Sequence, residues 1–273
     1  MSLAPPARRA LTVTGVDELG AYRVIRAADP DGPTADPGQF AMLAAAERWG
    51  GGEDERPFLA RAFSYARQKD GESHFLLEDV GPGTKRLCEL VPGDELLVLG
   101  PLGHGFSEPS DGQRPILVGG GVGIAPLAIL QDSLGPSATV LLGFRDRSRA
   151  EGAALLSGAL LASDDGSVGH HGLVTDLLAT ELERDPHALV YSCGPAGMLE
   201  GVRGMCERMG VPAQLALEAG MACGFGACYG CVVPKRGGGY LRVCVDGPVI
   251  DAEELEQVEA HAGAPAYPMT GHK

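Results

Sequence analysis

Four cysteines near the C-terminus constrain this chain more than any other feature. Three of them lie within MACGFGACYGCVV, residues 221–233, and the set consists of Cys223, Cys228, Cys231 and Cys244. The spacing C-x4-C-x2-C with a later fourth cysteine is typical of plant-type [2Fe–2S] ligands, although the last gap is shorter here. Three glycines in the loop leave room for backbone N–H groups to point at the sulfurs. The pattern therefore favours an iron–sulfur site.

Other uses of these thiols compete with that interpretation. A structural zinc site also takes four cysteines, but it typically uses two C-x2-C pairs, and only Cys228 and Cys231 are spaced in that way. The chain has seven cysteines, an odd count, and shows no apolar leader, which argues against a disulfide framework. Cys88 and Cys206 are isolated in apolar surroundings and are interpreted as packed, inert thiols.

Length, composition and charge narrow the class of protein. At 273 residues the chain is long enough for two or three domains. A hydrophobic content of 44% with 21% charged residues is typical of a soluble globular protein. The formal net charge of -14 opposes binding to nucleic acid or to an anionic membrane surface. We therefore expect a cytoplasmic protein with no transmembrane helix, no nucleic-acid partner and no membrane partner.

Hydrophobic patterning divides the chain into three segments. From Leu11 to about Phe106, short β-prone runs alternate with turn signals, which predicts an antiparallel barrel or sandwich. After Gln113, β runs alternate with helix-compatible stretches, which predicts a parallel sheet covered on both faces. Those stretches are Ala125–Ser133, Arg149–Leu161 and Val174–Leu182. A third segment begins near Val211 and carries the cysteines, so the fold class is multidomain, β plus α/β.

Two loops of the second segment are suited to a dinucleotide. The run ILVGGGVGIAPL places glycines after a β run and before a predicted helix, where the helix N-terminus favours phosphate. The second loop, in VYSCGPAGML, ends another β run and is expected at the same carboxyl edge of the sheet. Tight packing of strand against helix is the alternative for the first loop. A packed strand-end thiol is the alternative for Cys193.

The β-rich segment contains two further candidates. The run RAFSYA presents Arg61 and Ser64, which face one ligand only at a bulge, a twist or a strand end, because residues three apart on a strand point to opposite sides. A salt bridge and a surface hydroxyl are the alternative roles. The run VGPGTKRL places Gly83 and Thr84 before a possible helical turn, which suits either a phosphate or a simple turn.

Taken in order, these motifs resemble the electron-transfer subunits of NAD-dependent dihydroorotate dehydrogenase, in the ferredoxin–NADP reductase superfamily. The resemblance covers nearly the whole chain and is most specific over Glu218–Val249. Its motifs are PGQFAML, RAFS, GPGT, GPLGHGF, GGGVGIAPL, CGPAGML and EAGMACGFGACYGC followed by YLRVCVDGPV. The resemblance implies an antiparallel FAD-binding β-barrel over 1–107, a parallel-sheet NAD-binding α/β domain over 112–211 and a small [2Fe–2S] domain over 212–273.

The resemblance also implies roles for individual residues. The residues implied for cofactor binding are Arg61, Ala62, Phe63, Ser64, Leu76, Leu77, Glu78, Gly83, Thr84, Gly119, Gly120, Gly121, Val122, Gly123, Gly194, Pro195 and Met198. Cys193 borders the NAD site and is the candidate catalytic residue, and the four clustered cysteines are the metal ligands. The family usually has proline after the arginine, where this chain has Ala62, so the FAD loop is expected to be less constrained.

The implied function is electron transfer within a larger enzyme. A separate FMN-containing catalytic subunit oxidises dihydroorotate, and electrons pass through [2Fe–2S] and FAD to NAD+ in pyrimidine (UMP) biosynthesis. The family implies a heterotetramer with two copies of each subunit. A flavin fits between nicotinamide and cluster because it exchanges two electrons on one side and single electrons on the other.

The sequence is also compatible with two alternative functions. One is an NAD(P)H-dependent ferredoxin-type reductase that serves another oxidoreductase, and the other is a non-enzymatic iron–sulfur redox sensor. The choice between NAD and NADP depends on GFRDRSR, where Asp146 favours a free ribose hydroxyl and Arg145 and Arg147 suit a phosphate. The family resemblance favours NAD.

Overall fold

The first part of the chain forms a closed antiparallel barrel in the computed structural model, which describes residues 8–50 and 57–258. Its strands are β1 (Arg8–Leu19), β2 (Tyr22–Ala28), β3 (Phe40–Ala45), β4 (Arg61–Lys69), β5 (Glu72–Glu78) and β6 (Glu95–Leu102). They are hydrogen-bonded in the order β1-β2-β5-β4-β3-β6, and β6 closes onto β1. A short helix, α1 (Pro82–Cys88), separates β5 from β6. The barrel, one of the two predicted all-β architectures, is therefore confirmed.

The second part is a parallel sheet with helices on its faces, as predicted. Its elements are β7 (Arg114–Gly120), α2 (Ile124–Leu134), β8 (Thr139–Phe144), α3 (Arg147–Ala150), β9 (Leu160–Ser163), β10 (His170–His171), α4 (Val174–Arg184), β11 (Ala188–Cys193), α5 (Ala196–Met209) and β12 (Ala213–Ala216). Alternate residues of β7 enter different cores: Leu117 packs with α2 and the barrel, whereas Ile116 and Val118 pack with α4 and α5. Because both faces of the sheet are buried, the sequences of these strands are continuous apolar runs.

One predicted helix is mostly absent. Within Arg149–Leu161, α3 ends at Ala150, a 3₁₀ turn covers Glu151–Leu155, and β9 already begins at Leu160. Gly152 lies against the ring of Tyr22, and a Cβ built there would come within 2.8 Å of that ring. The segment is thus shaped both by packing on the barrel and by Gly152 and Gly158, which are unfavourable in a helix.

The cysteine-bearing segment is joined to the sheet at both ends. β12 pairs in parallel with β11, and β15 (Val249–Asp251) pairs antiparallel with β12, so the sheet has the order β10-β9-β8-β7-β11-β12-β15. Between them lies a two-stranded hairpin of β13 (Val232–Pro234) and β14 (Tyr240–Arg242). Residues 1–7 and 259–273, at the ends of the first and third predicted domains, lie outside the described residues.

Side-chain contacts fix the barrel against the sheet. Arg67 of β4 pairs with Asp132 of α2, with 2.6 Å between Nε and Oδ2. Gln214 of β12 donates to the hydroxyl of Ser107, in the linker between barrel and sheet, at 2.8 Å. These two contacts help to hold the barrel and the linker against the sheet and its helices. Across the described residues, no helix is both long and apolar enough to cross a bilayer.

Candidate functional site

The four clustered cysteines form two thiol pairs. The sulfurs of Cys231 and Cys244 lie 3.2 Å apart and are buried, and Val243 donates its backbone N–H to the carbonyl of Cys231. Cys228 lies close enough to Cys223 for its thiol to lower the pKa of Cys223. In residues 8–50 and 57–258, no three or more His, Cys, Asp or Glu side chains are arranged so that they could hold a single metal ion. Two pairs are the arrangement that a two-iron centre with four thiolate ligands requires, one pair for each iron.

Backbone N–H groups surround the sulfur of Cys223. Desolvation is the largest single influence and raises the pKa of this thiol, but N–H groups of Phe225 and Cys228 act in the opposite direction. With a further N–H from Ala227, the pKa of Cys223 falls to about 6. A thiolate is the form that binds iron, so Cys223 is suited to act as a ligand, whereas burial and the neighbouring Cys231 raise the pKa of Cys244 to about 12. The residues present therefore fit a [2Fe–2S] centre.

The cysteine loop is seated directly on the barrel. Gly224 has a φ of +81°, and a Cβ built on it would lie 2.5 Å from Cγ of Met42 in β3. Only glycine allows this close approach in this backbone conformation. Cys228 lies on the exposed side of the loop, where Phe225 is 53% exposed and Tyr229 is 63% exposed. The loop therefore has one face toward the barrel and one apolar face toward solvent.

The two glycine loops meet at the carboxyl edge of the sheet, as the sequence predicts. β7 and β11 are parallel neighbours with Gly119 opposite Cys193. A Cβ on Gly120 would lie 2.7 Å from the sulfur of Met198. Gly121 has a φ of +58° and faces open space, whereas Gly119 is enclosed by leucine and isoleucine side chains. Gly119 thus serves strand–helix packing, and Gly121 is free to face a ligand.

A cavity of about 380 Å³ lies between the barrel and this edge of the sheet, and we call it the barrel cavity. The predicted residues that line it are Arg61, Ala62, Phe63, Ser64, Leu76, Thr84, Val122, Gly123 and Cys193. Arg61 is the first residue of β4, and the strand end explains how it and Ser64 reach the same cavity. Met221, two residues before Cys223, also forms part of the wall.

The start of β4 and the start of α1 meet beside this cavity. A Cβ built on Gly83 would lie 2.5 Å from Nε of Arg61, so the guanidinium occupies the space that this glycine leaves. The Thr84 hydroxyl accepts the backbone N–H of Val80 at 2.9 Å and donates to the carbonyl of Gly81 at 3.0 Å. A guanidinium beside a glycine-containing helix start is chemically suited to a pyrophosphate, as in FAD.

A second cavity of about 580 Å³ opens at the sheet edge beyond Val122, and we call it the edge cavity. The predicted residues that line it are Glu78, Gly120, Gly121, Val122, Pro195 and Met198. Gly194 lies nearby in the wall of a smaller cavity of about 360 Å³. Leu77 lines none of these cavities, because its side chain packs in the barrel core. Val122 belongs to both larger cavities, which therefore share a wall.

Sequence reasoning missed Glu218. This carboxyl lines both the barrel cavity and the edge cavity, and the surrounding protein raises its pKa by desolvation. The signal was present, since Glu218 follows an apolar strand at the carboxyl edge of a parallel sheet, where ligands bind. Cys193 is its neighbour, and burial raises the pKa of that thiol well above its usual range. The Cys193 side chain is therefore a protonated thiol at neutral pH.

The charged residues of GFRDRSR, residues 143–149, make different contacts in the structure. Asp146 caps α3 by accepting the backbone N–H of Arg149, and it pairs with the same guanidinium at 2.6 Å. Arg149 also pairs with Glu78 at 2.7 Å, an ion pair that joins the barrel to the sheet and that the sequence did not indicate. Arg147 donates to the carbonyl of Ser167, and Arg145 lines the edge cavity.

The architecture matches a solved flavoprotein structure. An NADH-dependent reduced ferredoxin–NADP oxidoreductase, studied for flavin-based electron bifurcation, superposes with a TM-score of 0.76. It is 28% identical in sequence, and the match covers 94% of this chain and 92% of that chain. The barrel, the parallel sheet and the two cavities at their junction define a ferredoxin-reductase-like oxidoreductase.

Sequence relatives define the family more closely. Residues 218–256 match the iron–sulfur cluster binding domain of dihydroorotate dehydrogenase B. The electron transfer subunit of dihydroorotate dehydrogenase B (NAD(+)) from Caldanaerobacter subterraneus subsp. tengcongensis is 38% identical, over 82% of this chain and 88% of that protein. The one from Geobacillus thermodenitrificans is 39% identical, over 81% and 86% respectively. The chain belongs to the family of dihydroorotate dehydrogenase B electron transfer subunits.

Proposed function

We propose that this chain transfers electrons between a catalytic dihydroorotate dehydrogenase subunit and NAD+ by way of a [2Fe–2S] cluster and FAD. The observation that carries the proposal is the continuity of the three sites. The edge and barrel cavities share Val122 and Glu218, and Met221 in the barrel-cavity wall lies two residues before the first cysteine. The three sites are thus adjacent, which supports electron transfer from the cysteine pairs to the nicotinamide site.

Most of the predicted residues have a place in this scheme, whereas Leu77 packs in the barrel core and Gly119 packs between strand and helix. FAD is assigned to the barrel cavity, where Arg61, Thr84 and the backbone near Gly83 bind its pyrophosphate and Ser64 and Leu76 border its ring. NAD(H) is assigned to the edge cavity, over Gly121 and beside Met198. When bound, the flavin supplies the exchange between two-electron and one-electron steps. The protein residues bind and orient the cofactors, and the protonated thiol of Cys193 borders the region where the two rings meet.

We further propose that three segments are the functional units of the chain. Residues 1–107 bind FAD, residues 112–211 bind NAD(H), and residues 212–273 hold the cluster. The sheet shared by β11, β12 and β15 supports a close union of the second and third units. We therefore expect the cysteine segment to fold together with the sheet rather than as an independent domain.

The partner follows from the names of the relatives, which are electron transfer subunits and so imply a catalytic subunit. We infer that this partner carries FMN, oxidises dihydroorotate in pyrimidine biosynthesis, and assembles with this chain as two copies of each. The exposed apolar side of the cysteine loop, with Phe225 and Tyr229, supports docking there. NAD is preferred over NADP because the relatives are named as dihydroorotate dehydrogenase B (NAD(+)) subunits. The pairing of Arg149 with two carboxylates agrees with this choice, although Arg145 also lines the edge cavity.

Co-purification with the neighbouring catalytic subunit tests the proposal. The complex is expected to contain FMN, FAD and iron, and anaerobic dihydroorotate is expected to bleach the flavin and iron–sulfur bands, with NAD+ restoring them. The chain alone is expected to oxidise NADH with a dye and to be inactive on dihydroorotate. FAD-loaded protein without NADH–dye activity would contradict the hydride role, and protein that binds no flavin would instead support a redox sensor.

A ferredoxin-type reductase is the second candidate, favoured by the similarity to the ferredoxin–NADP oxidoreductase structure over 94% of this chain. It differs from the first proposal in its partner and not in its cofactors. Full physiological turnover by the isolated chain with ferredoxin, together with no stable complex with an FMN protein, would favour this candidate.

A further inference from the structure

Arg242 occupies an unusual position beside the cysteine loop. Its guanidinium carbon lies 5.2 Å from the ring centroid of Tyr229, which stands between Cys228 and Cys231. A Cβ built on Gly226, between Cys223 and Cys228, would lie 3.5 Å from Nη1 of Arg242. One cation thus contacts the loop on both sides of Cys228.

The same side chain is fixed to the turn that carries the fourth cysteine. The backbone N–H of Arg242 donates to Oδ2 of Asp246 at 2.7 Å, and its Nε pairs with that oxygen at 3.4 Å. Cys244 lies between Arg242 and Asp246 in the sequence. Arg242 therefore ties the loop of the first three cysteines to the turn that holds the last one.

Tyr229 shows that this contact has a conformational role. Its φ is +57°, a left-handed conformation that is uncommon for a bulky residue. A guanidinium stacked over an aromatic ring is a favourable contact, and it offsets part of the cost of such a backbone conformation. The stacking of Arg242 thus helps to hold the turn between Cys228 and Cys231.

We propose that Arg242 is a positioning residue that also raises the reduction potential of the [2Fe–2S] cluster, an inference that rests on the proposed function. When the cluster accepts one electron, it gains one negative charge while no bond forms or breaks. A nearby positive charge stabilises the reduced form, and net charge around a cluster is one of the factors that set its potential. Asp246 acts in the opposite direction and limits the effect.

Substitutions separate the charge from the stacking. In Arg242→Gln the cation is lost and Asp246 is left uncompensated, so the midpoint potential is expected to fall. In Arg242→Lys the charge stays but the planar stack on Tyr229 is lost, so the potential is expected to stay near the wild-type value while iron is lost faster to a chelator. In Asp246→Asn the potential is expected to rise. Arg236→Gln is the matched control, because Arg236 pairs with Glu207, away from the loop.

The test is an anaerobic redox titration of the FAD-loaded holoprotein, with the electron paramagnetic resonance signal of the reduced cluster as the readout and iron content measured for every variant. A full iron content in Arg242→Gln with the same midpoint potential as Arg236→Gln would overturn the inference. If Arg242→Gln loses its iron, Asp246→Asn decides, and an unshifted potential there would equally overturn it. A wild-type protein without an iron–sulfur signal would instead refute the proposed function.

Discussion

Gly123 and Cys193 are in direct contact across the carboxyl edge of the sheet: a Cβ built on Gly123 would lie 2.4 Å from the carbonyl oxygen of Cys193. The contact joins the loop after β7 to the loop after β11, two segments 70 residues apart in the sequence. Because the obstacle is backbone rather than a flexible side chain, the two loops act as one unit that borders both cavities.

Gly123→Ala is expected to separate these loops. Overpacking of this kind costs about 1–3 kcal/mol, so the melting temperature should fall. The KM for NAD(H) should rise by about tenfold, because a change of about 1.4 kcal/mol in binding corresponds to that factor. Gly204→Ala in α5 is the control, since its Cβ meets only the end of the Arg208 side chain. Equal behaviour of the two variants in steady-state kinetics and thermal melting would contradict the role of the contact.

Gly83→Ala is expected to weaken FAD binding. The new methyl group would displace the Arg61 guanidinium, which lies 2.5 Å from the Cβ position. We expect the Kd for FAD to rise about tenfold, measured by recovery of flavin fluorescence on release. Gly81→Ala is a control in the same loop, because its Cβ meets no atom within 4 Å. If FAD affinity is the same in both variants, Arg61 does not need its observed position.

Cys228→Ser is expected to abolish the iron–sulfur absorbance and electron transfer through the catalytic subunit. The NADH-to-flavin step should retain much of its rate, since Cys228 lies on the exposed side of the loop and lines neither cavity. Cys88→Ser, which changes a half-buried thiol outside the loop, should keep both activities. Loss of FAD together with iron in Cys228→Ser would show that the cluster and flavin sites fold as one unit.

Glu218→Gln is expected to weaken NAD+ binding more than NADH binding. The oxidised nicotinamide ring carries a positive charge that the reduced ring lacks, and an unscreened carboxylate nearby favours the charged form by about 1 kcal/mol or more. We expect the Kd for NAD+ to rise by about five- to tenfold at pH 8, with the Kd for NADH changed little.

Protonation of Glu218 determines how its effect on NAD+ binding changes with pH. Desolvation raises the pKa of Glu218, so the carboxylate is present above that raised value and is protonated as the pH falls through it. The difference in NAD+ affinity between wild type and Glu218→Gln should therefore be largest at high pH and disappear on acidification. A difference that does not depend on pH would point to shape rather than charge as the function of this residue.

Local features of the sequence determined the fold class and much of the candidate site. The spacing of Cys223, Cys228, Cys231 and Cys244, the glycines after β7 and the run of alternating strands are all short-range patterns, and each predicts structure through steric freedom or periodicity. They were sufficient for the fold class, for the cysteine loop and for the meeting of the two glycine loops at one edge of the sheet.

Only the tertiary structure decided which distant residues line the same cavity, form an ion pair or stack on each other. The position of Glu218 between two cavities, the Arg149–Glu78 ion pair and the stacking of Arg242 on Tyr229 depend on segments that the sequence keeps apart. The loss of helix after Ala150 has this origin only in part, since Gly152 packs on Tyr22 but is also unfavourable in a helix, as is Gly158. Spacing along the chain determines which group a loop is able to bind. Long-range packing determines which neighbouring side chains modify the charge and the conformation of that site.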